Sequence, residues 1–494
     1  MSAAAGANEP ATLAALAGRY GPHYRWLLLL SVMTGTMASI MSSTIVNVAI
    51  PAMSHFFVLG QERAQWVSSG FMVAMTVSML TTPWLLARYG YRGTYVGAML
   101  LLMAGGIAGG VANHFPLVLA ARVAEGLAAG VVQPIPAIII LRVFEPGEQG
   151  RASGIFGMGV VLAPAIGPSI GGLLVDWQGW RSIFFMVVPF CLAALWLAFR
   201  YVPVTAPGGA AARRGVGLDW RGLLLGATGT LCLLNGLVQL HAGGATGPLL
   251  LLAAGVAFVA FTAWQHRLAA AGGEPLMNLG LFGYRSFAMG SLVALIYGTA
   301  LFGSTYLFPV YMQLGLGLSP SHVGAILMPA GFALAVTILL AGRLADRVAT
   351  HWLVTIGLAL LALSFALMFT LGLDSAILAL VALAVLGRVG LGFILPSLNL
   401  GSMRPLHAGL VPQGSSAINF LRILGGAAGV SLCGILLEWR IAAHGDSLAN
   451  PATSASRLAA FNEVFWLLAA LCALAMVAAW NLRHEPTPAA QAPE

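Results

Sequence analysis

Apolar runs of about 20 residues recur along the whole chain, and short polar stretches holding most of the arginines separate them. A run of that length crosses the hydrocarbon core of a bilayer as a helix. The pattern predicts fourteen spans, near residues 26–50, 64–86, 94–112, 117–141, 152–175, 182–202, 222–240, 248–265, 286–314, 321–341, 352–372, 375–400, 410–437 and 459–480. The connections between them are short. The stretch 203–217 reads as a flexible Pro/Ala/Gly tether, and 442–461 is the only sizeable loop on its side.

The arginines orient the chain. With the N-terminus inside, the inner segments hold Arg19, Arg25, Arg88, Arg92, Arg142, Arg151, Arg200, Arg213, Arg214, Arg221, Arg267, Arg285, Arg343, Arg347, Arg404 and Arg483. The outer loops hold only Arg63, Arg181, Arg440 and Arg457. This positive-inside bias predicts a multi-pass protein of the cell (inner) membrane with both termini cytoplasmic. The remaining three, Arg122, Arg388 and Arg422, lie within spans.

Composition narrows the function. Hydrophobic residues make up 59% of the chain and charged residues 8%, well below a soluble domain's usual share of charge. The formal charge of +8 is spread in ones and twos and forms no aromatic-interleaved patch, which excludes a nucleic-acid partner. The four cysteines (Cys191, Cys232, Cys433, Cys472) sit in apolar spans without metal or disulfide spacing. There is no P-loop, paired acidic catalytic motif or metal-ligand cluster, so no cofactor or metal is expected and the chain reads as no enzyme. Moving a substrate fits better than transforming one.

A repeat divides the chain. PWLLARYGYRG (83–93) follows the second span and GRLADR (342–347) the tenth, while Arg122 and Arg388 occupy the fourth and twelfth. The organisation predicted is a cytoplasmic tail (1–24), a six-helix bundle (25–202), a linker (203–221) and two inserted helices (222–265). A second linker (266–285), a second six-helix bundle (286–482) and a tail (483–494) complete it. Parallel repeats about an axis along the membrane normal build a central site.

The fifth span, GIFGMGVVLAPAIGPSIGG (154–172), is bare along one face, because Gly159, Ala163, Gly167 and Gly171 are spaced four apart. Such a face lets another backbone approach closely in lipid, here between the two halves. Pro164 and Pro168 should bend the helix.

Gly154, Ala163, Gly167, Pro168, Gly171 and Gly172 resemble the fifth-helix signature of major facilitator antiporters, with Ala163 at a position usually occupied by glycine. SSTIVNVAIP (42–51), RVAEG (122–126), Trp180-Arg181, Leu218-Asp219-Trp220, FPVYMQLGLGLSP (308–320) and GSSAINFLRILGG (414–426) follow in the family's order. Over nearly its whole length the chain resembles the fourteen-helix drug:proton antiporters of the major facilitator superfamily, the EmrB/QacA type. The resemblance implies an all-α fold of two six-helix bundles plus two inserted helices. It also implies proton-driven export of amphipathic, drug-like compounds by rocking of the halves, hence antibiotic resistance. Membrane lipids are partners of any such chain, and a periplasmic adaptor with an outer-membrane channel joins them if the cell is Gram-negative.

The departures from the family pattern concern charge. Ser42 stands where an aspartate is usual, and Pro83 and Ala87 replace the glycine and aspartate of the first loop copy. The acid survives only in the second copy, as Asp346. Glu125 replaces a usual glutamine and is the one acid placed well inside a span; Asp374, Glu438 and Glu463 lie near span ends. Arg122 and Glu125 are three apart on a helix and share a face. Opposite charges inside a membrane face each other or a cavity. They read either as the proton-coupling pair or as a static ion pair.

The other candidates also have two readings. Arg88, Arg92, Gly342, Asp346 and Arg347 form gating loops, or the arginines only set topology and meet lipid head groups while Asp346 caps a helix. Asn47, Gln133, Asn399, Asn419 and Arg422 line a cavity, or the amides act as interhelical glue worth about 1 kcal/mol or less each. For Asn235 glue is the better reading. Tyr306, Tyr311, Phe302 and Trp66 line a cavity or pack. Three functions compete: a proton-coupled exporter, a lipid or metabolite flippase with weak or no proton coupling, and a membrane sensor or scaffold that lost transport.

Overall fold

A computed structural model describes residues 11–483 apart from 60, 210, 214, 216, 242, 243, 374 and 447–452. Within its helices, the side chains of residues 61, 62, 64, 65, 165, 166, 168, 169, 241, 320 and 321 are also outside the description. Arg214, Asp374, residues 1–10 and 484–494 of the tails and the Pro168 side chain therefore lie beyond it.

Every regular element among the described residues is helical. This follows from the apolar composition, because in lipid a backbone must satisfy its own hydrogen bonds. The helices are α1 (Leu13–Tyr20), α2 (Tyr24–Phe56), α3 (Gln61–Ser78), α4 (Thr82–Gly110), α5 (Phe115–Val132), α6 (Ile135–Val143), α7 (Gln149–Gln178), α8 (Ser182–Phe185) and α9 (Val187–Tyr201). They continue with α10 (Trp220–His241), α11 (Thr246–Ala270), α12 (Arg285–Val310), α13 (Pro320–Leu344), α14 (Thr350–Leu367), α15 (Ile377–Met403), α16 (Val411–Ala443) and α17 (Ala455–Trp480). Capping residues mark several starts: Thr12 accepts from the Ala15 N–H and Ser454 from the Arg457 N–H. The predicted N-terminal tail thus carries a helix, α1, whose Leu16 is buried against α2 and its neighbours.

Twelve helical stretches among the described residues are long and apolar enough to cross a membrane. One is the 45-residue stretch Trp66–Gly110, for which the sequence predicts two spans, and α7, of 30 residues, stands outside the twelve. These two stretches account for the difference from the fourteen spans predicted.

Two bundles have separate cores. One main cluster draws almost wholly on residues after 275, and two others draw on residues 16–202 and 45–184. The pair α10–α11 packs at the side, with Leu224, Leu252 and Val259 more than 60% exposed. Asp219 holds this pair together, accepting from Trp264 Nε1 (2.8 Å), Gln265 Nε2 (2.7 Å) and the Gly222 N–H (2.9 Å).

Gly90 breaks α4, at φ 70° and ψ 178°. The left-handed φ suits glycine, and a Cβ there would lie 2.2 Å from the Val204 carbonyl oxygen. The N–H groups just past the break need acceptors. The connection after α9 supplies them, with Thr205 O taking Tyr91 N–H (3.0 Å) and Pro203 O taking Arg92 N–H (2.9 Å). Arg92 Nε adds a bond to Val202 O at 2.7 Å, and Arg213 N–H donates to Ala87 O at 2.9 Å. The stretch read as a flexible tether is pinned to the loop beside it.

Candidate functional site

The first bundle encloses a buried charge pair. On α5, Arg122 Nη1 lies 2.5 Å from Glu125 Oε2, and both side chains are 1% exposed. The same Nη1 donates to Ser42 Oγ (2.9 Å) and Ser42 O (3.2 Å) on α2, while Nε donates to Val67 O (3.2 Å) on α3. The guanidinium carbon lies 4.3 Å from the centre of the Phe71 ring, a cation–π distance. Arg122 Nη2 is buried without a hydrogen-bond partner. Room for the carboxylate comes from α4: a Cβ on Gly105 would sit 2.7 Å from Glu125 Cγ. The two departures noted separately in the sequence, Ser42 and Glu125, therefore meet on one arginine. An acid is absent from α2 and present on α5 within reach of the same guanidinium. Removing one member of such a pair strands a buried charge, at a cost of about 3–5 kcal/mol.

A second polar cluster joins the bundles. Arg422 Nη2 on α16 donates to Gln133 Oε1, between α5 and α6, at 3.2 Å, and to Asn419 Oδ1 at 2.8 Å. Gln133, Asn399, Asn419 and Arg422 all line one cavity of about 30 Å³ between the bundles. The other candidates fall elsewhere. Asn47 accepts from Ser68 Oγ at 2.7 Å. Tyr311 is fully buried against Phe461 and Phe465, each with a centroid separation of 5.5 Å. Tyr306 is half-buried against the second core.

The bundles also touch at the end where α7 begins and α13 finishes. Asp346 Oδ1 accepts from the Gly150 N–H (2.6 Å) and Oδ2 from the Arg151 N–H (2.8 Å). A carboxylate belongs there, because the first turn of a helix offers free N–H groups and a positive dipole end. Arg404 Nη2 stands 3.7 Å from Asp346 and donates to Pro146 O at 3.0 Å, while its Nε donates to Gln149 Oε1 at 3.1 Å. Burial pushes the Arg404 guanidinium below its ordinary value, and Asp346 partly offsets this. A Cβ on Gly150 would sit 2.2 Å from Gly342 O, and one on Gly342 would sit 2.5 Å from Gly150 O. Arg343 and Arg347 are exposed at the rim. In the first loop copy, Arg88 lies over the rings of Trp84 (5.4 Å) and Tyr89 (5.6 Å).

The stripe on α7, expected between the two halves, faces α2 of its own bundle. Gly159, Gly167 and Gly171 lie against Met33, Thr44 and Ile45 of α2, within the first bundle. Gly172 has open space, and Ala163 is fully buried. The contact between bundles is made one or two turns earlier, by Gly150, Gly154 and Gly157 against Ile338 and Gly342. Arg404 and Gln149 were not singled out from the sequence. A lone arginine after a span looks like any other topology arginine, and only the fold puts it beside Asp346.

Residues 32–430 match the Major Facilitator Superfamily. The chain belongs to that family. Its members are transporters and not enzymes, and the chain is accordingly a multi-pass membrane transporter. It is 30% identical over 433 residues to the tetracenomycin C resistance and export protein of Streptomyces glaucescens, covering 84% of this chain and 76% of that one. It is 28% identical over 417 residues to a multidrug resistance protein B homolog of Mycobacterium tuberculosis, covering 82% and 75%. Among solved structures, the human organic anion transporter MFSD10 aligns with TM-score 0.63 at 15% identity, over 92% of this chain and 99% of that one. The proton:xylose symporter XylE aligns at 0.65 and 13%, over 93% and 95%. These two likenesses concern the fold.

Proposed function

We propose that this transporter is a secondary active exporter of amphipathic, drug-like compounds, driven by proton antiport and working by alternating access. The observation that carries the reading is the buried Arg122–Glu125 pair with Ser42 at its side. Burial disfavours a charged carboxylate and an adjacent guanidinium favours it. The protonation of Glu125 therefore follows how Arg122 is held, and a tilt of α5 against α2 and α3 changes the bonds to Ser42 and Val67 that hold it. A protonation site that responds to conformation is what antiport requires. The cluster at Gln133, Asn399, Asn419 and Arg422 gives the substrate polar partners from both bundles, and Asp346 with Gly342 latches one end. Similarity to a tetracenomycin C resistance and export protein and to a multidrug resistance protein supports export.

The same reading takes the break at Gly90 as a reversal of direction and α7 as a further crossing, for fourteen crossings in all. The arginine asymmetry then puts both termini on the cytoplasmic side of the inner membrane, with the latch at that face.

Efflux of a cationic dye from proteoliposomes, with and without an imposed pH gradient, tests the proposal. Glu125→Gln is expected to fold and bind dye while losing the response to the gradient. The double variant Ser42→Asp/Glu125→Gln, which returns the acid to α2, is expected to recover it. Unchanged gradient dependence in Glu125→Gln would remove this residue from the proton path. Efflux by the wild type without any gradient response would favour the uncoupled exporter, which the missing acids at Ser42 and Ala87 also suit.

A further inference from the structure

Beside the seam between α3 and α16 lies a cavity of about 300 Å³ whose outer wall is α10, the first helix of the side pair. Ser68 and Ser69 of α3, Asn235 and Gln239 of α10, and Ser431 of α16 supply its polar lining. Met72, Phe302 and Ile423 supply an apolar floor. Among the described residues no ionisable side chain lines it, so a charged occupant finds no charged partner among them.

The hydrogen-bonding capacity that remains includes donors on Ser69 and Gln239 together with several open acceptors. Asn235 spends an amide hydrogen on Leu231 O (2.9 Å), Ser68 donates to Asn47 Oδ1 (2.7 Å), and Ser431 donates to Ala427 O (3.4 Å). That leaves the Asn235 Oδ1 and the serine oxygens with open acceptor sites. The side chains of Ser69 and Gln239 have no hydrogen-bond partner among the described residues. Asn235 is thus not tied to a neighbouring helix; it bonds to its own and faces the cavity.

We infer that this cavity is a binding site for uncharged amphipathic molecules that carry hydroxyl or N–H donors on an apolar body, with α10 as its specificity wall. A buried polar site discriminates by what it leaves unpaired: a ligand lacking the donor strands the acceptors. The site is also placed to be felt elsewhere. Met72, Ile423 and Phe302 pack in one cluster with Phe71, the ring that lies against Arg122. The inference rests on the export reading only for the purpose of the ligand, not for its binding.

The test uses purified full-length protein in nanodiscs with 4-hexylphenol and its methyl ether, which has the same body without the donor. The readout is the part of the tryptophan fluorescence that Trp66→Phe removes, since Trp66 lines the cavity. The phenol is expected to bind about tenfold tighter than the ether, the size of one lost hydrogen bond. Asn235→Leu is expected to erase that difference, and Ala427→Phe, which fills the space, to abolish both signals at unchanged thermal stability. Equal affinities for phenol and ether in the wild type overturn the inference. So does a signal that survives Ala427→Phe, because it then comes from lipid. No pH gradient is imposed, so phenol binding by a protein that shows no efflux of dye, with or without a gradient, would sink the export reading and leave this one standing.

Discussion

The two copies of the arginine-bearing loop have diverged into different structures. After α13, Asp346 reaches across to the first turn of α7 and closes two backbone N–H bonds, and glycines on both sides bring the backbones together. In the other copy Ala87 stands at the acidic position, and no carboxylate reaches from it to the start of α16. Instead a cavity of about 310 Å³ opens there, lined by Pro83, Ala87, Arg213, Gly409 and Gln413, and the Gln413 Oε1 is buried without a partner. The connection after α9 holds that loop, through the bonds to Ala87, Tyr91 and Arg92. One copy joins the two bundles and the other braces one bundle. On the proposed alternating access, rocking of the halves need break only the first.

Breaking the latch at its closest point should have the largest effect. Gly150→Leu puts a side chain where a Cβ alone would meet Gly342 O at 2.2 Å, and backbone there cannot yield. Dye efflux in proteoliposomes is expected to fall about 100-fold or more, equivalent to about 2.7 kcal/mol or more, with protein level near normal. Gly167→Leu is the contrast. Its Cβ meets the Thr44 hydroxyl of the same bundle at 3.0 Å, so a loss of about 1–3 kcal/mol in stability from overpacking is expected, read as a lower Tm. Efflux lost by Gly167→Leu at unchanged Tm would return the stripe to the contact between bundles.

Asp346→Asn should come next. The side chain can still accept a bond but loses the charge facing the α7 dipole and Arg404, a change of about 1–2 kcal/mol. Cross-linking of cysteine pairs placed at residues 151 and 347 is expected to drop about tenfold in rate. The smallest effect belongs to Ala87→Asp. An acid restored to the open copy can reach the α16 start only across the cavity, and a shift of about 0.5 kcal/mol or less is expected at this half-buried, cavity-lining position, measured by the same cross-linking. A tenfold gain instead would mean that the missing aspartate alone separates the two copies.

The apolar runs and most of the membrane-long helices they form were readable from the chain, because hydropathy and backbone satisfaction are local constraints. The arginine at 122 and the acid at 125 were legible as a pair for the same reason, being one helical turn apart. Their environment was not. That Ser42 lies on Arg122, that Phe71 stacks on the guanidinium, and that Gln133 on one bundle meets Arg422 on the other depend on residues up to 289 positions apart.

The α7 stripe shows the limit most clearly. Spacing by four determined that one face of the helix is bare, but a bare face does not state which helix will lie on it. The sequence by itself determined that this chain crosses a membrane as helices and belongs with transporters rather than enzymes. Only the tertiary structure decided that the stripe packs on α2, that Gly150 and Gly342 bring the bundles together, and that α10 walls a cavity beside the seam between α3 and α16. In lipid no hydrophobic force ranks one helix partner over another. The choice falls to close packing and a few buried polar bonds, which exist only once distant helices have come together.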